Sequence, residues 1–282
     1  MTDRPTSRRD GRLAPRDVRL VATDLDGTLV RSDGTVSPRT RDALARLEES
    51  GRTVVMVTGR PPRWMDELAD VVGRHGLAVC ANGAVLYDLH AGRVLAEEPL
   101  AAHDAAQVLA ALTADLPGLT IAAERAGQAD PSTSFVREHA YRPRWAPKSD
   151  QVADREELIA SGVVKLLVRV EGVGSDELLD RARAILGGSA TVTHSSTDGL
   201  LEIAAAGVSK ASGLARFAEQ RGFTAADTVA FGDMPNDLPQ LEWAGWSVAV
   251  ANAHPVVLAA VDEVTTANDE DGVARVVERW LG

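Results

Sequence analysis

Asp24-Leu25-Asp26-Gly27 follows the apolar run Val18 to Ala22 and sets two carboxylates where a strand gives way to a turn. Two residues apart on extended chain, both side chains lean to the same side, so one bound group lies within reach of both. Such a pair can supply a nucleophile and a group that gives and takes a proton. Gly27 allows the tight turn and a close approach of backbone to ligand. A surface turn rich in Asp and Gly is the plain alternative for the same residues.

The strand that leads into this turn, Val18-Arg19-Leu20-Val21-Ala22, has the pattern of a strand buried on both faces of a parallel sheet. Such sheets carry ligands at the carboxyl ends of their strands. Ser37-Pro38 is an N-cap followed by proline, Ala43, Leu44 and Leu47 recur at helical spacing, and Gly51 ends the helix. Thr53 to Val57 is a second buried strand that stops at Thr58-Gly59-Arg60. Pro61-Pro62 opens a helix through Trp64, Leu68 and Val71, and Leu77 to Ala81 is a third strand ending at Asn82-Gly83. This alternation predicts an α/β, doubly wound, Rossmann-like parallel-sheet core with right-handed crossovers.

From Ala84 the texture changes. Strands are expected at Ala84 to Tyr87, Arg93 to Ala96, Leu119 to Ala123, Val163 to Val170, Ala190 to His194 and Leu200 to Ala204. Helices are expected at His103 to Ala114 and Ser175 to Leu186, while Gly127 to Asp150 has no clear assignment. This mixture predicts an inserted α+β cap domain over residues 84–206, within a core of residues 17–83 and 207–282. After Gly207 the wound pattern resumes with helix Ser209 to Arg221, strand Thr228 to Phe231, helix Asp237 to Ala244, strand Ser247 to Val250 and helices near Pro255 and Gly272.

The charge balance, 41 acidic against 30 basic residues among 282, argues against a nucleic-acid surface. No apolar run approaches the roughly 20 residues that span a bilayer, so neither a membrane nor a nucleic acid is an expected partner. Residues 1–16 carry five arginines without an apolar stretch and are expected to be a disordered extension. The single cysteine, Cys80, excludes an internal disulfide, fits a cytoplasmic location and lies in an apolar run where a buried, inert thiol is expected.

Four short segments occupy comparable places: Asp24-Leu25-Asp26-Gly27-Thr28 and Thr58-Gly59-Arg60 after strands, Lys210 opening a helix, and Gly232-Asp233-Met234-Pro235-Asn236-Asp237 after another strand. In this order and spacing the chain resembles the haloacid dehalogenase (HAD) superfamily. Its Asn82-Gly83 crossing, long insert and closing Ala251-Asn252-Ala253-His254-Pro255 are similar to the Cof-like group with a type-IIB cap.

The resemblance implies a phosphatase of small phosphorylated metabolites such as sugar phosphates, nucleotides or cofactor phosphates. A carboxylate can attack phosphorus and split hydrolysis into formation and breakdown of an aspartyl-phosphate; Asp24 is the candidate nucleophile and Asp26 the candidate acid and base. Carboxylates around a phosphate require a cation, and hard oxygen ligands suit Mg²⁺. By resemblance the metal-side residues are Asp24, the Asp26 carbonyl and Asp233, with Asn236 and Asp237 beside them. The phosphate side would use Gly27, Thr58, Gly59, Asn236 and Lys210, the last adding fixed positive charge. Thr58, Asn236 and Asp237 could equally cap helices, and a helix lysine is usually solvated. Arg60 at the rim and His139, Arg142, Arg144 and Lys165 from the cap are candidate substrate contacts, for each of which a solvated surface charge is the competing reading. A phosphomutase of the same fold and a non-catalytic binding protein are the alternatives, and a monomer or small homo-oligomer is expected.

Overall fold

A computed structural model describes residues 18–65, 68, 76–143 and 151–281. The core begins with β1 (Leu20–Thr23), every residue of which is buried. Helix α1 (Pro38–Glu49) starts where Ser37 accepts the Thr40 amide and proline sits in the first turn, and it buries Ala43, Leu44 and Leu47 against the sheet. The fully buried strands β2 (Thr53–Val57) and β3 (Leu77–Cys80) follow. Between them Pro62–Trp64 forms a short 3₁₀ turn, and Val71 of the expected helix lies outside the described residues.

After β3 come β4 (Val85–Asp88) and β5 (Arg93–Glu97). These two strands were expected in the insert and belong instead to the larger sheet. Ala81, Asn82 and Gly83 take positive φ values of 50°, 54° and 100°, which fold the chain straight back so that β4 pairs antiparallel with β3, Val79 opposite Leu86. The loss of helical alternation after residue 83 marks this reversal and not a change of domain.

The insert holds α2 (Ala102–Asp115), β6 (Thr120–Arg125), β7 (Phe135–Arg137), β8 (Gln151–Val152), α3 (Arg155–Ile159), β9 (Val163–Arg169), α4 (Ser175–Leu186), β10 (Ala190–Thr193) and β11 (Leu200–Ala205). Its six strands run in the order β10-β11-β9-β6-β7-β8. One face packs on the helices, with Ile121, Leu166, Val168, Leu201 and Ile203 against Leu109, Leu112 and Leu178. The alternate residues Glu124, Lys165, Leu167 and Glu202 project from the other face toward the core, as the two-residue period of strands requires.

The chain then returns through α5 (Lys210–Arg221), β12 (Thr228–Gly232), α6 (Leu238–Trp243), β13 (Trp246–Ala249), α7 (Pro255–Ala260), β14 (Glu263–Val264) and α8 (Gly272–Glu278). The larger sheet is ordered β14-β13-β12-β1-β2-β3-β4-β5, and all its pairings from β14 to β3 are parallel. No helix among the described residues is long and apolar enough to cross a membrane. The arginine-rich residues 1–16 lie outside the described residues.

Candidate active site

In the sheet β1 lies between β2 and β12, with Thr23 opposite Met56 on one side and Phe231 on the other. The turns leaving these three strands therefore meet at one edge, at the point where the winding reverses and where parallel sheets hold ligands. Asp24 leaves β1, Thr58 and Gly59 leave β2, and Asp233 leaves β12. Lys210 reaches the same place as the first residue of α5, whose start is fixed by a reciprocal Ser209–Ser212 capping box.

Lys210 is fully buried and bridges Asp24 Oδ1 and Asp237 Oδ1, each at 2.6 Å. Burial works against its charge, but Asp237 and Asp24 outweigh burial and raise its pKa above the usual lysine value. The solvated lysine of the alternative reading is thus absent. Asp237 Oδ1 also accepts Gln240 Nε2 at 2.8 Å, and its Oδ2 accepts the amides of Asp233 and Met234 at 3.0 Å each. With four donors on its oxygens, Asp237 is suited to orienting Lys210 and the turn more than to ligating a cation.

Carboxylate oxygens of Asp24, Asp233 and Asp237 lie within 4.8 Å of one another. Burial, the largest influence, drives Asp24 well above the usual carboxylate range; Lys210 opposes this, while Asp237, Asp233 and Asp26 add to it. Asp233 is pushed up to about 7, first by burial and then by Asp237. Three buried carboxylates against one ammonium leave a negative site, and a hard divalent cation fits the oxygens that Asp24 and Asp233 offer. Thr28 Oγ1 donates to Asp233 Oδ1 at 2.8 Å and aims it. Gly27 has φ 79°, and a β-carbon there would collide with Asp233 Oδ2, so the close approach of the first turn to Asp233 requires glycine.

Asp26 turns outward, its side chain 58% exposed, and Arg60 grips it through Nε at 2.8 Å and Nη2 at 2.5 Å. Arg60, considered above as a substrate contact at the rim, thus holds a candidate catalytic side chain. Thr58 is buried, and its Oγ1 accepts the Arg60 amide at 3.0 Å, which shapes the turn around Gly59. Asp24, Asp26, Gly59, Arg60 and Asn236 line one cavity of about 250 Å³ between the strand-end turns and the insert, with Trp64, Leu167, Arg169, Asp198 and Leu200 on its remaining walls.

Of the cap candidates, Lys165 is buried and donates to the Gly59 carbonyl and to Glu202 Oε1, each at 2.5 Å. His139 and Arg142 are exposed and do not line this cavity, and Arg144 lies outside the described residues. Cys80 is buried, and burial pushes its thiol pKa far up, which leaves it inert. Sequence reasoning took Asn82 only as part of the Asn82-Gly83 crossing and missed Glu202 and the Arg63–Glu124 pair. Asn82 Nδ2 donates to Glu202 Oε2 at 2.8 Å, and Arg63, 3% exposed, meets Glu124, 2% exposed, at 2.6 Å across the core–insert boundary. The available signal was a single charge within an otherwise apolar strand, as in Leu200-Leu201-Glu202-Ile203-Ala204.

The chain is 29% identical over 266 residues to 5-amino-6-(5-phospho-D-ribitylamino)uracil phosphatase YcsE of Bacillus subtilis, covering 94% of this chain and 96% of that protein. It is 29% identical over 270 residues to pyridoxal phosphate phosphatase YbhA of Escherichia coli, covering 93% and 98%. A solved HAD subclass IIB sugar phosphatase superimposes with a TM-score of 0.77 at 19% identity, over 93% of this chain and 99% of that one, so the core and the inserted cap share its fold. Residues 21–277 match the model of the haloacid dehalogenase-like hydrolases, and the chain belongs to that family.

Proposed function

We propose that the protein is a Mg²⁺-dependent phosphatase of small phosphorylated metabolites that works through an aspartyl-phosphate on Asp24. The observation that carries this reading is the placement of Asp24 at the cavity wall, held by a buried Lys210 and facing Asp233.

A Mg²⁺ ion held by Asp24, Asp233 and the Asp26 carbonyl would neutralise charge on the phosphoryl oxygens. Asp24 attacks phosphorus as the bond to the ester oxygen breaks, and Asp26 gives its proton to the departing oxygen. Arg60 engages both Asp26 oxygens, so this transfer requires Arg60 to release one of them when substrate arrives. Asp26 then takes a proton from water, which attacks phosphorus, frees Asp24 and yields inorganic phosphate. Lys210 fixes the oxygen of Asp24 and offsets its charge, while Thr58 and the backbone at Gly27 and Gly59 present donors to the phosphoryl group.

The cavity of about 250 Å³ suits a compact leaving group, with Trp64, Leu167 and Leu200 offering apolar surface and Arg169 and Asp198 offering polar contacts. Leaving groups of the size named for the two relatives, a pyridoxal or a ribitylaminouracil, are the first to test. Phosphate release from those esters, sugar phosphates, nucleotides and a chromogenic ester, with Mg²⁺ and with chelator, tests the reading. Metal-dependent release that disappears in Asp24→Asn supports it. A sugar phosphate isomerised without phosphate release would replace it with the mutase alternative.

A further inference from the structure

A chain of buried polar contacts runs from the insert to the turn that carries Asp233. Lys165 Nζ joins Glu202 Oε1 to the Gly59 carbonyl, each at 2.5 Å. Glu202 Oε2 accepts Asn82 Nδ2 at 2.8 Å, and Asn82 Oδ1 accepts Asn236 Nδ2 at 3.0 Å. Lys165, Glu202, Asn82 and Asn236 are all buried. Burial works against the charge of Glu202, but Lys165 and the hydrogen bond from Asn82 help hold its pKa below the usual carboxylate value.

The direction of this chain is set at one end. A carboxylate only accepts hydrogen bonds, so Asn82 must turn its NH₂ toward Glu202 and its oxygen toward Asn236. Asn236 must then give its own NH₂ to Asn82, and its Oδ1 is left buried and without a hydrogen-bond partner in the same short turn as Asp233. A buried oxygen of this kind is open to a cation or its bound water, while the second N–H of the same amide is left for a phosphate oxygen.

We propose that Glu202 is a positioning residue for the reaction: through Asn82 it fixes the Asn236 amide with oxygen toward the cation, and through Lys165 it holds the Gly59 carbonyl. The inserted domain thereby completes the cation side of the site when it lies against the core. This inference rests on the phosphatase reading for its catalytic consequence, but its effect on cation binding is measurable without turnover.

The test compares wild type, Glu202→Gln, Asn82→Ala, Asn236→Ala and the Glu202→Gln/Asn236→Ala double variant. Mg²⁺ affinity is measured by calorimetry, kcat and KM with a chromogenic phosphate ester, and folding by thermal melts. Glu202→Gln keeps the shape of the side chain, but the new amide donates as readily as it accepts and no longer sets the direction of its neighbours. Mg²⁺ affinity and kcat are expected to fall by about 10- to 100-fold with KM changed less, the usual scale for residues that orient metal-binding groups. The double variant is expected to lose no more than Asn236→Ala alone. A raised KM with unchanged kcat and Mg²⁺ affinity would make Glu202 a substrate contact, and losses that multiply in the double variant would make it a purely structural group; either overturns the proposal. Should Glu202→Gln fail to fold, Asn82→Ala carries the same expectation without a charge change. If wild type binds Mg²⁺ and the variants weaken it, yet no ester is hydrolysed, the phosphatase reading fails while the positioning role stands. Normal Mg²⁺ affinity in an active Glu202→Gln enzyme sinks the positioning role alone.

Discussion

Lys210 keeps its charge in a place that would discharge an isolated ammonium, because Asp24 and Asp237 flank it at 2.6 Å. Lys210→Met should therefore lower kcat by roughly 10²- to 10³-fold, the scale for removing one preorganised charge from a transition state, with KM changed much less. Steady-state kinetics at saturating Mg²⁺ check this. Asp26→Asn separates acid from nucleophile: turnover of an alkyl phosphate should drop by roughly 10²- to 10⁴-fold, while an ester with a good leaving group loses far less. Equal losses on both esters would remove Asp26 from the proton-transfer step. The carboxylates were legible in the sequence because strand, turn and glycine are local features. Asn82 and Glu202 were not, since their meeting joins residues 120 positions apart and depends on one face of the insert's sheet lying against the strand ends of the core.

The elements position the site through their ends. The three turns after β1, β2 and β12 converge because the sheet places those strands side by side, and Gly27 permits the closest of these approaches. Gly27→Ala should cost about 1–2 kcal/mol for the left-handed backbone alone. Because its β-carbon would also displace Asp233, Mg²⁺ affinity should fall as well. Gly34→Ala is the control, with φ 83° and open space around it: it should cost similar stability and leave Mg²⁺ binding intact. Denaturant unfolding and calorimetry on the two variants separate strain from collision. The strand pattern in the sequence identified the core strands well, since continuous apolar runs such as Thr53 to Val57 admit few other readings. The membership of β4 and β5 escaped it, because an antiparallel hairpin on a parallel sheet has the local texture of an α+β domain.

On the scale of the whole molecule, buried carboxylates, a single buried lysine beside them and the cap make stability, cation and pH interdependent. Burial, and then Asp237, push Asp233 up to about 7 in the folded protein against an ordinary 3.8, and burial shifts Asp24 in the same direction. Between those values the folded state holds protons that the unfolded chain releases, so these groups make the metal-free protein less stable as pH rises through the window. A Mg²⁺ ion bound there would take the place of those protons. Its thermal stabilisation should therefore be large near pH 8 and fade toward about pH 5.5, whereas chelator-treated protein should show no such gain. Melting curves across pH with Mg²⁺ and with chelator decide it, and a pH-independent shift would remove Asp233 from the cation site. The sequence by itself determined the wound core, the order of the four motifs and the carboxylates at the strand ends, because each depends on periodicity and spacing along the chain. Only the tertiary structure decided that Lys210 and Lys165 are buried, that Asp237 serves Lys210, that Arg60 holds Asp26 and that Glu202 reaches Asn236 through Asn82. Burial and hydrogen-bond direction belong to contacts between distant segments, and those exist only once the cap lies on the core.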